Sequence, residues 1–310
     1  MFADRFSTDG GRSANNRLWH RHPGNPIIKP SPESLWAKDW ICNEPILRIG
    51  DQYVMYMEGK TGPQYRIGLM TADVAGFDGL TWHEFPDNPV LDPGPRGYDA
   101  VGVLNPGVIF WQGQYLMYYT AISGPPDRIC LAFSHDGLHF TKYDKNPLFP
   151  GRCSFPIVRD GVVYLFYILY NEDGGYDLHL ATSTDGIAFT RHERRPILPR
   201  GAPGEWDSFS IVTPLILYEA GIYQLMYAAD SDQVDEPRGF GMAFSRDLVN
   251  WEKFKGNPFF LPGETGEWDC QAIWCPWVEK HGDRYLMWYC GSATTYIDGL
   301  TPQVGIATIE

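Results

Sequence analysis

The chain of 310 residues carries 25 basic and 38 acidic side chains, and its formal net charge of −13 excludes the basic surface that nucleic acids and anionic lipids require. Hydrophobic residues make up 44% of the sequence and aromatic residues 15%, which is too apolar for a disordered chain. Glycine (33 residues) and proline (25 residues) together form about a fifth of the chain, so we expect a fold rich in turns.

The N-terminal segment, the apolar runs and the cysteines of the sequence all favour a cytoplasmic location. The first 16 residues are polar and lack the apolar segment of a signal peptide, and no run of about 18 apolar residues occurs anywhere. The six cysteines form no CxxC pair and no zinc-type cluster with histidine. We therefore expect a cytoplasmic protein with reduced, mostly buried thiols, no structural metal and no membrane contact.

The predicted elements repeat five times along the chain. An Asn-Pro or Arg-Pro followed by apolar residues recurs every 49 to 63 residues and begins at Asn25, Asn88, Asn146, Arg195 and Asn257. Each unit continues with an apolar run near a proline, a turn built on glycine, an aromatic strand and a third strand. The aromatic strands are Tyr53 to Tyr56, Tyr115 to Tyr119, Tyr164 to Tyr167, Tyr223 to Tyr227 and Tyr285 to Tyr289.

A Ser-x-Asp-Gly turn announces a fourth strand at Ser134 and Ser183, and blades one and four carry variants of it at Asp78-Gly79 and Ser245-Arg-Asp247. Four strands in each of five units predict an all-β, five-bladed β-propeller forming one domain, with blades at about 25–87, 88–145, 146–194, 195–256 and 257–310. Since the last unit ends without a fourth strand, we expect the N-terminal segment, about residues 17–28, to supply it and to close the ring.

The innermost strands of a propeller line a central funnel, where residues from every blade converge. Aligning the repeats on their prolines places, just before each proline, Glu44, Asn105, Phe155, Thr213 and Cys275. A structural role would recur in most blades, whereas chemistry needs a group in one place. Glu44 is therefore the best single candidate for an acid, base or nucleophile.

A second set of carboxylates recurs six or seven residues before the proline, at Asp39, Asp99, Asp207 and Asp269. Tryptophans accompany three of them, as in Gly204-Glu-Trp206-Asp207 and Gly266-Glu-Trp268-Asp269. Repetition favours a structural interpretation, in which Asp bonds backbone amides and Trp packs between blades. The alternative is a funnel mouth where tryptophans stack on sugar rings and carboxylates bind hydroxyls.

These features together resemble the five-bladed propeller glycoside hydrolases, which include families 43, 32, 68 and 130. The segment Asn43-Glu44-Pro45 is similar to their first-blade catalytic segment, where an Asp before proline serves as base or nucleophile. The sequence departs from their other catalytic patterns: Val212 stands where family 43 has its acid, and Gly107 where it has an Asp. Ser154-Phe155-Pro156 replaces the Arg-Asp-Pro of family 32, and Leu104-Asn105-Pro106-Gly107 replaces the family 130 Glu-Asp-Pro-Arg.

This resemblance implies a glycosidase that acts on a small glycoside, with furanosides among the candidates, and that uses two carboxyl groups. We expect Glu44 to pair with Asp207, with Asp99 and Asp269 as further catalytic candidates and Asp39 or Glu58 ranked lower. The candidate substrate-binding residues are Asp39, Trp40, Asn43, Asn105, Trp206, Trp268, Gln271, Trp274 and His179. The alternatives are a non-catalytic carbohydrate-binding or interaction propeller and a glycoside phosphorylase.

Some of these residues have an equally good structural explanation. His179 stands where other blades have Gly68, Cys130, Gly241 and Gly305, yet lone histidines are more often packed than catalytic. Trp274 and Trp277 suit blade packing as well as a sugar subsite. The acidic loop from Asp230 to Arg238, with Asp232, Asp235 and Glu236, lacks a defined Ca²⁺ ligand spacing and is interpreted as a solvated loop, so no cofactor is expected.

Overall fold

A computed structural model describes residues 2–6, 18–192, 195–232 and 236–309. A short 3₁₀ helix at Phe2–Arg5 is the only helix among these residues, and strands form the rest of the regular structure. The all-β class predicted from the short, turn-bounded aromatic segments is therefore confirmed. No helix in the described ranges is long and apolar enough to span a membrane.

The strands form five antiparallel sets of four, called blades one to five, and a parallel bridge between Tyr65 and Gly102 joins the first two sets in one nine-stranded sheet. Blade one contains β2 (Trp40–Ile49), β3 (Gln52–Thr61), β4 (Gln64–Asp73) and β5 (His83–Glu84). Blade two contains β6 (Gly102–Trp111), β7 (Gln114–Ile122), β8 (Arg128–Ser134) and β9 (Thr141–Lys142), and β8 also pairs with β10 (Phe149–Pro150). Blade three contains β11 (Arg152–Arg159), β12 (Val162–Tyr170), β13 (Tyr176–Ser183) and β14 (Thr190–Arg191).

Blade four contains β15 (Ser210–Glu219), β16 (Ile222–Asp230), β17 (Gly239–Ser245) and β18 (Glu252–Lys253). Blade five contains β19 (Ala272–His281), β20 (Arg284–Ser292) and β21 (Gln303–Ile309), completed by the N-terminal strand β1 (His20–Arg21). His20 pairs with Thr308 and Arg21 with Ala307, so the N-terminal segment supplies the fourth strand, as predicted. Arg17, the first residue predicted for this strand, lies outside the described residues, and closure of the ring stays a prediction.

The chain divides into two compact units, which are described separately. One comprises Met1–Ile27, Tyr170–Leu178 and Arg195–Glu310, and the other comprises Ile28–Leu169 and His179–Arg194. The first has an aromatic core in which Phe2 packs 5.0 Å from Tyr285 and 6.4 Å from Phe259, measured between ring centroids. The second contains two apolar clusters, one between β3, β4 and β7 and one between β7, β8 and β12. The single-domain assignment remains a prediction.

The recurring Asn-Pro has a structural explanation. The Asn88 side chain accepts from Leu69 N and donates to Leu69 O, both at 2.8 Å, and so pairs with a strand as a backbone amide would. Asn146 makes the same two bonds to Leu131, Asn257 to Met242 and Asn25 to Ile306. Because the asparagine holds the third strand in each of four blades, the motif has a structural role.

Candidate functional site

The first strand of every blade is interrupted by a β-bulge near the repeated proline. Two residues of that strand lie opposite one buried tyrosine of the second strand, and the register resumes beyond them. The tyrosines are Tyr56, Tyr119, Tyr167, Tyr227 and Tyr289, each 0–1% exposed. Such bulges re-aim side chains, which makes them suitable places for functional groups.

Alignment on the prolines is wrong by two residues in blade three. The bulge there falls at Cys153 and Ser154, and Cys153 has a φ of 49°, close to the 47° of both Asn105 and Thr213. Cys153, and not Phe155, is therefore the counterpart of Asn105. The proline misled the alignment because Pro156 lies beyond the bulge, where the other blades carry a different residue.

In blade one the alignment on the proline holds: the bulge falls at Glu44 and Pro45 opposite Tyr56, as it falls at Asn105 and Pro106 opposite Tyr119 in blade two. Asn43 pairs with Met57 in regular register, so Glu44 is the counterpart of Asn105. On the second strands, Glu58 and Thr120 each pair with an isoleucine of the third strand. Asn43 is fully buried, whereas Glu44 is only half-buried, so Glu44 is the accessible side chain of the two.

Glu44 belongs to a small polar cluster with Asn105 and Glu58. Asn105 Nδ2 donates to Glu44 Oε1 at 3.3 Å and to Glu58 Oε2 at 3.0 Å, and its backbone N donates to Glu58 Oε2 at 3.4 Å. Asn105 is 8% exposed and Glu58 3%. The cluster therefore joins one accessible carboxylate to one buried carboxylate through a single amide. Glu44 and Asn105 are site residues that the sequence predicts, whereas Glu58 is predicted only as a less favoured partner of Glu44.

Three of the four recurring aspartates lie in a different environment, because each of the three is held by a cation of its own blade. Asp207 Oδ2 accepts from Lys253 Nζ at 2.6 Å, Asp99 Oδ2 from Lys142 Nζ at 2.5 Å, and Asp269 Oδ2 from Arg21 Nε at 2.9 Å. All three aspartates are at most 2% exposed. These contacts favour the structural interpretation, and a catalytic role for the three stays an untested prediction.

The three cations Lys142, Lys253 and Arg21 occupy the same position, the second residue of the fourth strand. In the other two blades this residue is Glu84 and Arg191. Blade one has Glu84 there, which accepts from Trp36 Nε1 at 2.6 Å. Its aspartate, Asp39, is exposed and accepts from Gly62 N at 2.7 Å. A blade with a buried aspartate thus has a cation as the second residue of its fourth strand, whereas blade one, with its exposed aspartate, has a glutamate there. This correlation is the sequence signal that identifies the aspartate and the cation as a structural pair.

The accompanying tryptophans pack on glycines. Trp206 stacks on Tyr227 with ring centroids 5.7 Å apart, and a Cβ at Gly241 would lie 2.7 Å from the Trp206 ring. A Cβ at Gly305 would lie 2.3 Å from Trp268, and one at Gly68 would lie 2.6 Å from the fully buried Trp36. Indole packing therefore explains why glycine recurs in the third strand, and a substrate-binding role for Trp206 and Trp268, which are both half-buried, stays an untested prediction.

The same comparison explains His179. Blade three goes directly from its Asn-Pro into the first strand, so it lacks the segment that carries Trp206 in blade four. The His179 ring lies 5.8 Å from Tyr167 and is 7% exposed, in the space that an indole or phenol fills elsewhere. These contacts favour packing, and a substrate-binding role for His179 stays an untested prediction.

The remaining candidates lie at the first strands of blades one and five. Trp40 is half-buried, its ring 5.7 Å from Tyr65, and Lys60 Nζ lies 5.9 Å and 5.0 Å from these two rings. Trp274 is 5% exposed within β19. Gln271 Oε1 accepts from Arg238 Nη1 at 3.0 Å, so its amide is oriented by a cation.

The acidic loop contributes no ligand cluster within the described ranges. Asp230 is fully buried in β16, Glu236 Oε1 accepts from Tyr296 N at 2.8 Å, and Asp235 lies outside the described residues. Among the residues that the structure describes, no three His, Cys, Asp or Glu side chains are placed to hold a metal ion.

No protein family model matches the chain. An uncharacterized protein of Mycobacterium tuberculosis strain H37Rv is 25% identical over 282 residues, which cover 87% of this chain and 75% of that protein. A beta-1,2-mannobiose phosphorylase of Thermoanaerobacter sp. strain X514 is 26% identical over 129 residues, covering 37% of this chain and 42% of the relative. Identities of 25% and 26% do not establish the family of this chain.

Solved structures share the fold. A glycosyl hydrolase from Bacteroides ovatus superposes with a TM-score of 0.70 at 17% identity, covering 93% of this chain and 92% of its own. A beta-1,2-mannobiose phosphorylase from Listeria innocua superposes with a TM-score of 0.71 at 15% identity, covering 93% and 96%. The resemblance to the five-bladed propeller glycoside hydrolases is thus confirmed for the fold.

Proposed function

We propose that the protein is a carbohydrate-active enzyme that cleaves the glycosidic bond of a small glycoside or oligosaccharide, with Glu44 as its acid-base carboxyl group. The observation that carries this proposal is the environment of Glu44: a half-buried carboxylate on a bulge, oriented by Asn105 and backed by the buried Glu58. The fold shared with glycosyl hydrolases and mannobiose phosphorylases supports it as an analogy.

Hydrolysis is the first candidate reaction. The Glu44 carboxyl would give its proton to the leaving oxygen as the bond to the anomeric carbon breaks, while the oxygen of a water molecule bonds to that carbon. Trp40 and Tyr65, at the beginning of the same blade, offer aromatic surface on which a sugar ring can pack. A glycosidase of this kind needs a second group to activate water, and that requirement distinguishes it from the next candidate.

Phosphorolysis is the second candidate, and a specific observation favours it. Asp99, Asp207 and Asp269 are each paired with a lysine or an arginine. In the cluster of Glu44, Asn105 and Glu58, Glu44 is the accessible carboxyl group. Inorganic phosphate brings its own negatively charged oxygen to the anomeric carbon, and one protein acid then suffices. Both a sequence relative and a structural neighbour are beta-1,2-mannobiose phosphorylases, so a β-mannoside joins the furanosides as a proposed substrate.

One experiment tests the proposal and separates the two reactions. The purified chain is incubated with aryl furanosides, aryl pyranosides and beta-1,2-mannobiose, each with and without inorganic phosphate, and products are resolved by anion-exchange chromatography. A hydrolase releases free sugar in both conditions, whereas a phosphorylase releases a sugar 1-phosphate only with phosphate. Sugar binding measured by calorimetry with no cleavage of any substrate would overturn the proposal in favour of a binding propeller.

A further inference from the structure

Lys60 is a cation of blade one that does not recur in the other blades. It is the fourth residue after Tyr56, the tyrosine that lies opposite the bulge. In every other blade the fourth residue after the corresponding tyrosine is neutral: Ser123, Asn171, Ser231 and Ala293. A lysine needed to hold a blade together would recur, as the cations of the fourth strands do. The charge of Lys60 therefore needs an explanation that is particular to blade one.

The ammonium of Lys60 contacts aromatic rings and makes no ion pair with a described carboxylate. Lys60 pairs with Trp40 of β2 on one side and with Tyr65 of β4 on the other, and its Nζ lies 5.9 Å and 5.0 Å from the two ring centroids. Within the described part of the chain, no Asp or Glu side chain lies within ion-pair distance of it. Asp39, beside Trp40, accepts from Gly62 N instead. Lys60 is half-buried, so the rings replace part of its hydration.

The two rings stabilise the ammonium but do not cancel its charge. A cation–π contact at a partly exposed site contributes about 0.5–1 kcal/mol, whereas a hydrogen bond to a charged group contributes about 1.5–3 kcal/mol. Lys142, Lys253 and Arg21 all take the stronger interaction, with aspartates at 2.5–2.9 Å. An ammonium has three N–H donors. Those of Lys60 therefore suit a negatively charged group that comes from outside the chain.

Lys60 also lies close to the carboxylate that carries the proposed function. It follows Glu58 by two residues on β3, so the two side chains point to one face of blade one, about 7 Å apart along the strand. Glu58 and Glu44 accept from the same nitrogen, Asn105 Nδ2, at 3.0 Å and 3.3 Å. A sugar ring that packs on Trp40 and Tyr65 can therefore present one substituent to Lys60 while its glycosidic oxygen lies towards Glu44.

We propose that Lys60, Trp40 and Tyr65 form a subsite for a sugar that carries a carboxylate, so that the substrate is a glycoside of a uronic acid. The rings pack on the apolar face of the sugar and the ammonium binds its carboxylate. One ammonium balances the single charge of a carboxylate, whereas a phosphate ester carries about −1.5 to −2. The inference rests on the proposed function for the cleavage step, in which Lys60 sets specificity and takes no part in proton transfer.

Binding of matched sugars tests the subsite without any cleavage. Titration calorimetry compares the methyl glycosides of glucuronic, galacturonic and mannuronic acid with those of glucose, galactose and mannose, and with the methyl esters of the three acids. At least one acid should bind about 10-fold more tightly than its neutral partner and its ester, and this preference should shrink between about 50 mM and about 500 mM salt. If no acid binds more tightly than its neutral partner, the proposal is wrong.

Variants of Lys60 separate the charge from packing. Lys60→Met keeps an apolar chain against the rings, so it should abolish the preference for the acid and change the affinity for the neutral sugar by no more than about 2-fold. Lys60→Arg keeps the charge and should retain most of the preference. Lys145→Met, at an exposed lysine of the same unit, should bind as the parent does.

Two results with Lys60→Met would overturn the proposal. An equal loss of affinity for acidic and neutral sugars would show that the lysine only packs, and a loss confined to the binding of inorganic phosphate would assign the ammonium to that anion. The cleavage assay separates this inference from the proposed function. Cleavage of neutral glycosides with no preference for an acid would contradict the subsite alone, whereas Lys60-dependent binding of an acid with no cleavage of any glycoside would contradict the function alone.

Discussion

Lys253 Nζ lies 2.6 Å from Asp207 Oδ2 and ties the segment before β15 to the fourth strand of blade four. Tyr227 donates to the same oxygen at 3.1 Å. Burial and the neighbouring Asp207 charge raise the pKa of Tyr227 well above its ordinary value, so the phenol remains a donor. Asp207 is thereby held by an ammonium and a phenol, which favours a structural role, and Asp269 has the corresponding partners in Arg21 and Tyr289.

Asp207→Asn is expected to destabilise the fold. Removing the charge leaves the partly buried Lys253 ammonium without its counterion, at a cost of about 2–4 kcal/mol, reduced from the fully buried case because Lys253 retains some exposure. Thermal unfolding should show a melting temperature lower by several degrees.

The double variant Asp207→Asn with Lys253→Met provides the control. Because it removes both charges, it should recover part of the lost stability, so a double-mutant cycle should give a coupling energy above about 1 kcal/mol. A catalytic Asp207 would behave differently: Asp207→Asn would then leave the melting temperature unchanged and abolish cleavage at every temperature at which the protein is folded.

Glu44→Gln, unlike Asp207→Asn, is expected to leave the stability of the fold almost unchanged and to lower the activity. The side chain is half-buried, and glutamine retains an oxygen that accepts from Asn105 Nδ2, so the melting temperature should change by no more than about 1 °C. Loss of the acid-base group should lower kcat by about 10²–10⁴-fold on whichever glycoside is cleaved. Glu33→Gln serves as the control for purification and charge, and an active Glu44→Gln enzyme would remove Glu44 from the mechanism.

Gly305→Ala is expected to destabilise blade five by overpacking. An added Cβ would lie 2.3 Å from Trp268 and 3.1 Å from the Asn25 side chain, so the indole must move from its site. Overpacking of this kind costs about 1–3 kcal/mol. The control is Ala307→Gly, which removes a buried methyl group from the same strand without crowding Trp268. Gly282→Ser is unsuitable, because Gly282 has a φ of 61° and a side chain there would be strained for a different reason. Thermal unfolding of the two variants separates a steric clash from lost burial.

Five repeats, their aromatic strands and the N-terminal fourth strand of blade five could be predicted because each depends on local pattern: turn residues, alternation and spacing. The bulge position of blade three could not, because Pro156 lies beyond its bulge whereas Pro45 lies within its own, and only strand register shows this. The place of Glu58 in the site is hard to predict for a similar reason. It lies on a second strand, and its meeting with Glu44 depends on Asn105 of the next blade.

Asp185→Ala tests the Ser-x-Asp-Gly turns through their pH dependence. Asp185 Oδ1 accepts from the amides of Ile187 at 2.9 Å and Ala188 at 2.7 Å, and from Ser183 Oγ at 2.8 Å. These bonds, that from Ile187 foremost, hold the pKa of Asp185 below its ordinary value of 3.8. The stabilisation is therefore fully present well above pH 3.8 and is lost as the pH falls through the lowered pKa.

At neutral pH the exposed turn should contribute about 0.5–1 kcal/mol, so Asp185→Ala should lower the melting temperature by about 1–3 °C. The difference between variant and parent should shrink progressively below pH 3.8, since the parent then loses the charge that accepts these bonds. Asp144→Ala, at an exposed aspartate whose carboxylate makes none of these turn contacts, is the matched control and should track the parent at every pH. A difference that stays constant from pH 7 to pH 3 would mean that the ionised carboxylate contributes nothing to the turn beyond the volume of the side chain.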